Sequence, residues 1–197
     1  MAFLAAGATM GLSSCGAVAA SSASGAKERI DVCLLELDED ALSVFNAALA
    51  KKCFAAQGLE IEERFLDDSR RALDIVNAGD AKICFSSQDA LAPMFARNEP
   101  ASIEAIAAYA QPTQGKQGYQ HLVVANDLFV VKHFDTARKF LTALCSACDG
   151  DDTWGCIDAR LWNERNAYLY ESGAIDRPIY THHGFNLDCL PLPPEED

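Results

Sequence analysis

The chain has 197 residues, half of them hydrophobic, enough for one medium domain or two small lobes with a real core. Its 16 basic and 29 acidic residues leave a net charge of −13, which argues against nucleic acid and anionic membrane surfaces as partners, since both select basic patches. No apolar run reaches the roughly 18–20 residues that span a bilayer.

Residues 1–26 carry no charge. The run 1–12 (MAFLAAGATMGL) has the length of a signal-peptide core, and Leu12-Ser13-Ser14-Cys15 resembles a bacterial lipobox with Cys15 as the lipidated residue. The small residues of 17–25 would then form a flexible tether. No Lys or Arg precedes the apolar run, which departs from a standard signal peptide.

The run 30–37 (IDVCLLEL) predicts a strand buried on both faces, and 38–40 (DED) the acidic start of a helix over 41–56 closed by Gly58. Residues 59–66 alternate, with Leu59, Ile61 and Phe65 against Glu60, Glu62 and Arg64, as in a strand near a sheet edge. Asp68 or Ser69 caps the next helix, which Gly79 ends. At 81–93 (AKICFSSQDALAP) a short apolar strand runs into a helix capped by Ser86 or Ser87, with Asp89 at capping-box distance from Ser86 and Pro93 inside. Such a junction presents Ser86, Ser87, Gln88 and Asp89 at the carboxyl edge of a sheet, where α/β proteins bind ligands; the same four residues also suit an ordinary cap. A further strand falls at 102–109. This alternation predicts parallel pairing with right-handed crossovers.

The clearest breakpoint is 111–118 (QPTQGKQG). Beyond it lie a strand at 121–125, a helix at 135–148, a turn at 149–152, a helix at 159–172 ending at Gly173, and a Pro- and acid-rich disordered end at 191–197.

Three pieces carry a family resemblance: FAAQGLEIE from Phe54, ALDIVNAGDA from Ala72, and SSQDALAP from Ser86. With the late segment LYESGAIDRPIYTHHGF they resemble ABC-transporter substrate-binding proteins, in particular the NMT1/THI5-like binders of a thiamine-precursor pyrimidine. The resemblance implies a type II periplasmic-binding-protein-like α/β fold with a doubly wound, mainly parallel sheet. It implies a first lobe at 27–112, a return strand and C-terminal helices at 113–190 packing on it, and a second lobe that is largely missing. Where the pyrimidine binders carry a Trp-x-Pro-Asn-like turn and a His, this chain has Glu36, Asp38, Glu39 and Leu42. The stacking platform and histidine are gone, and Glu36 suits a cationic or amine-bearing ligand.

Of eight cysteines, Cys33 and Cys84 sit in apolar strands as core filler. Cys145, Cys148, Cys156 and Cys189, with His182 and His183, offer one close pair where zinc wants two, and they leave disulfides or free thiols open. No G-x-S-x-G, P-loop, G-x-G-x-x-G or H-E-x-x-H occurs, so the expectation is no enzyme, no cofactor and no metal. Trp154, Trp162, Tyr168 and Tyr170 suit core or interface positions, with Trp162 and Tyr170 also placed to line a pocket edge.

The functional expectation is an exported, outer-face, lipid-anchored solute-binding component of an ABC importer. Its ligand-binding residues are Glu36, Ser86, Ser87, Gln88 and Asp89, and its partners a small nitrogenous solute and a permease. The alternative is a single-lobe interaction module without transport function that binds a protein partner or nothing, with homodimerisation as one way to cover its open cleft face.

Overall fold

The computed structural model describes residues 27–97, 101–112, 118–148, 154–179 and 184–191. β1 (Glu28–Leu35) buries Ile30, Val32, Cys33 and Leu34 completely, as a strand covered on both faces must. It leads into α1 (Glu39–Ala50) through Asp38, whose Oδ1 accepts from Ala41 N at 3.0 Å.

The single helix expected over 41–56 is in fact two. Phe45 and Phe54 are nine residues apart, which at about 100° per residue would set them on opposite faces of one helix. Lys52 breaks the helix with φ 58°, and the short α2 (Cys53–Ala56) turns Phe54 back into the core. Its ring lies 5.3 Å from Phe45 and 5.2 Å from Phe140.

β2 (Leu59–Leu66) is the edge strand its alternation predicts. Asp68 caps α3 (Ser69–Ala78), and Gly79 ends it at φ 83°. There follow β3 (Ile83–Ser86), α4 (Gln88–Phe95), β4 (Ile103–Ala108), β5 (Leu122–Asn126), α5 (Asp127–Lys132), α6 (Phe134–Ala147) and α7 (Ala159–Glu171).

The strands form one sheet in the order β2-β1-β3-β5-β4. β1 is parallel to β2 and β3, whereas β5 runs antiparallel to both β3 and β4. The expected parallel pairing therefore stops at β3: β4 points the same way as β1–β3 but is separated from them by the antiparallel β5. The connection from Ala108 to Leu122 holds no helix among its described residues. A strand that returns without a crossover element comes back antiparallel, and β5 inserts between β3 and β4.

Helices cover both faces. The cluster of Ile30, Val32, Phe45, Phe54, Phe85, Phe140 and Leu144 fills the side of α1, α2 and α6. On the other side Leu73, Val76, Cys84, Leu91, Tyr119, Leu122 and Trp162 pack under α3, α4 and α7. The outer edge of β4 is covered by the late chain: Ala108 and Gly155 exchange backbone hydrogen bonds of 3.1 and 2.8 Å, and Ala105 N donates to Gly184 O at 2.8 Å. Among the described residues no helix is long and apolar enough to cross a membrane. Cys15 and its lipobox, the turn at 149–152, His182, His183 and residues 192–197 lie outside the described residues.

Candidate functional site

β1, β2, β3 and β4 point their carboxyl ends to one edge of the sheet, and antiparallel β5 begins there. At this edge the chain leaves strands for helices, so cap side chains and helix N–H groups gather.

One group forms around β1, β4 and β5. Glu36 is exposed just past β1, and its N donates to Leu66 O at 3.0 Å. Leu37 projects beside it, 87% exposed. Asp38 turns inward: while its Oδ1 caps α1, its Oδ2 accepts from Tyr109 Oη at 3.4 Å. Tyr109 stands one residue past β4 and His121 one residue before β5, joined by Tyr109 N donating to His121 O at 3.0 Å. The Tyr109 ring meets His121 and Phe85 edge-on at 5.2 and 5.4 Å. His121 Nε2 lies 3.6 Å from Asp40 Oδ2, and its Nδ1 is buried without a hydrogen-bond partner. Burial, with the carboxylates of Asp38 and Asp40, pushes the Tyr109 phenol up, so it stays a neutral donor. Carboxylate acceptors beside an aromatic wall suit an N–H-bearing cation.

The second group lies at the β3–α4 junction and carries the four residues singled out by sequence. Ser87, not Ser86, caps α4, its Oγ accepting from Ala90 N at 3.3 Å. Ser86 ends β3 with its side chain 2% exposed and its Oγ unpartnered. Gln88 is fully buried: its N donates to Tyr119 O at 2.7 Å, and its Oε1 accepts from Tyr119 N at 3.2 Å. Its Nε2 donates to Trp162 O at 2.8 Å and Asn166 Oδ1 at 2.9 Å. Asp89 is held bidentately by Arg165, with Nε donating to Oδ1 at 2.7 Å and Nη2 to Oδ2. Instead of a polar row facing solvent, the junction is one cap, two interior residues and one ion pair. Of the five residues, Glu36 alone is exposed.

Sequence reasoning missed Tyr109, His121 and Arg165. The first two flank the 111–118 breakpoint, and antiparallel return of β5 is what makes neighbours of them. Arg165 lies 76 residues from Asp89, and nothing local marks the pairing. Of the tail aromatics, Trp162 is core, 5.3 Å from Phe185, whereas Tyr168 and Tyr170 are exposed. Cys33 and Cys84 sit opposite each other in the β1–β3 register, both buried, and Cys33, Cys53, Cys84, Cys145, Cys156 and Cys189 are free thiols. Among the described residues no three His, Cys, Asp or Glu side chains are placed to hold a metal ion.

Solved structures share this architecture. The ligand-binding component of an ABC-type import system from Staphylococcus aureus, solved with zinc bound, superposes with a TM-score of 0.58 at 10% identity over 82% of this chain and 97% of that one. The periplasmic aliphatic sulphonate binding protein SsuA from Escherichia coli gives 0.52 at 8% identity, covering 86% and 98%. A Candida albicans gene product described as having the generic periplasmic binding protein fold gives 0.52 at 10%, covering 76% and 77%. The fold is that of the periplasmic binding proteins. The described residues of this chain build one lobe of it, as the resemblance in sequence implied. No family model and no curated protein sequence matches the chain, so the likeness to periplasmic binding proteins is one of fold.

Proposed function

We propose that this chain is a solute-binding module that takes a small cationic nitrogen compound at the carboxyl edge of its sheet. The observation that supports the reading is the set Asp38–Tyr109–His121–Asp40, with Glu36 exposed beside it. Neither zinc nor a sulphonate, the species bound by those neighbours, suits this edge. A sulphonate asks for donors or cations where these residues offer carboxylates, and zinc asks for at least three converging ligands. A protonated amine, amidine or aminopyrimidine matches both the acceptors and the ring. The thiamine-precursor pyrimidine of the NMT1/THI5-like resemblance belongs to this class when protonated. Export, anchoring through Cys15 and delivery to an ABC permease complete the reading and rest on residues 1–26 and on the resemblance.

The test is a thermal shift of the full chain with amines, amidines, aminopyrimidines and sulphonates. A ligand at a hundredfold its dissociation constant adds about 2.7 kcal/mol of stability. The expected result is a shift with cations that Asp38→Asn and Asp40→Asn remove. A shift with sulphonates alone overturns it. A second reading, an interaction module without a solute, is favoured by one observation: Gln88 and Asp89 are engaged by α7. Under that reading no small molecule moves the transition.

A further inference from the structure

Helix α7 lies along α4 in the same direction. Trp162, Arg165 and Asn166 meet Gln88 and Asp89 at the start of α4, while Leu169 and Ile175 pack on Ala92 and Ala96 further along. At the far end Arg177 Nε donates to Ala96 O at 2.8 Å. What α7 delivers to the α4 junction is a carbonyl oxygen and an amide oxygen to Gln88, and a planar guanidinium to Asp89. A joint whose purpose is solely structural satisfies its buried polar atoms, since each orphan costs stability. This joint leaves three unpartnered: Ser86 Oγ, Asn166 Nδ2 and Trp162 Nε1, in side chains 2%, 2% and 1% exposed. All three belong to residues that touch Gln88 or stand two positions from it in the chain. The polar groups of α4 are thus held by α7 in an arrangement that is not fully matched.

We propose that α7 is an internal latch, with Arg165 standing in for a ligand cation at Asp89. Released, α7 uncovers Ser86, Gln88 and Asp89 on the same sheet edge as Asp38 and Tyr109. The occupant that fits is a small amidinium- or guanidinium-type cation, which forks onto Asp89 as Arg165 does. Gly118 lets the latch close. A Cβ there would stand 2.5 Å from Arg165 Cγ and 2.9 Å from Gln88 Oε1. This proposal rests on the reading of the edge as a solute site but names a different carboxylate.

A closed latch lowers apparent affinity by the fraction of time it is open, so opening it should tighten binding about tenfold or more. Titrating full-length wild type, Arg165→Gln and the Arg165→Gln/Asp89→Asn pair with methylguanidine and acetamidine tests this by calorimetry. The expected result is tighter binding in Arg165→Gln that the Asp89→Asn change reverses. Binding that is unchanged in Arg165→Gln, or a gain that survives Asp89→Asn, overturns the latch. A wild-type site lost in Asp38→Asn but insensitive to Arg165→Gln would sink the latch and keep the function proposed above. A gain seen only with Arg165→Gln, indifferent to Asp38→Asn, would do the reverse. If Arg165→Gln does not fold, hydrogen exchange of the wild-type chain decides. Faster exchange across 159–171 with methylguanidine supports displacement of α7, and unchanged or slower exchange refutes it.

Discussion

Tyr109 and Asp38 are joined side chain to side chain across the carboxyl edge, 71 residues apart, at 3.4 Å. The bond is long, and the ring does more for the fold than the hydroxyl, since it also meets Phe85 and His121. Tyr109→Phe should therefore lower stability by about 1 kcal/mol, the usual size of one hydrogen bond. Tyr109→Ala should lower it by about 3–5 kcal/mol through the cavity. Urea unfolding of both variants checks this. Similar losses in the two would mean that the hydroxyl, not the ring, carries the contact.

Asn126 holds three backbone groups at once. Its Nδ2 donates to Val76 O at 3.0 Å and Ser102 O at 3.1 Å, and its Oδ1 accepts from Phe129 N at 3.1 Å to cap α5. The side chain is buried, so truncation leaves several polar groups unpaired away from water. Asn126→Ala should cost about 2–4 kcal/mol in urea unfolding. Asn126→Asp, which keeps the cap acceptor but loses both donors, should be no milder.

These two contacts show what was legible beforehand. β1, β2, α3 and the β3–α4 junction follow from local signals, because a period-2 run, an Asp cap and a Gly end are properties of neighbours in the chain. Ser87 as cap is one of the two serines expected there. The position of β5 was not legible, because strand order depends on which partners bury which faces, and HLVVA reads the same in either direction. With β5 misplaced, Tyr109 and His121 could not be brought together. Gln88 and Asp89 looked available for the same reason, since nothing near them in sequence announces Trp162, Arg165 or Asn166.

Gly118 tests how tightly α7 is seated. Its φ of +66° already disfavours any side chain, and the space a methyl would occupy is taken by Arg165 and Gln88. Gly118→Ala should destabilise by about 1–3 kcal/mol. Hydrogen exchange should rise across 159–171 and stay unchanged in β1 and β3. Uniform loosening of the whole sheet would show that the glycine serves the fold at large and not the α4–α7 joint.

Glu104 gives the chain a pH dependence of defined sign. It lies on β4, and its carboxyl is raised above the ordinary glutamate value of 4.5, chiefly by burial, and also by the charges of Asp127 and Asp188. The Asn186 amide, donating to it at 3.3 Å, offsets part of this. Because the folded state holds this proton more tightly than the unfolded chain, it binds more protons wherever the two differ. Stability from this group is therefore complete below the unfolded value and falls as pH rises toward the folded one, the opposite of a salt-bridged carboxylate. Glu104→Gln keeps an acceptor for Asn186 and removes the charge. Its urea midpoint should match wild type near pH 4, exceed it increasingly above pH 4.5, and hold a constant advantage once the folded carboxyl has ionised. A difference independent of pH would mean that Glu104 takes up its proton over the same pH range in the folded and the unfolded chain, so that burial does not raise its carboxyl.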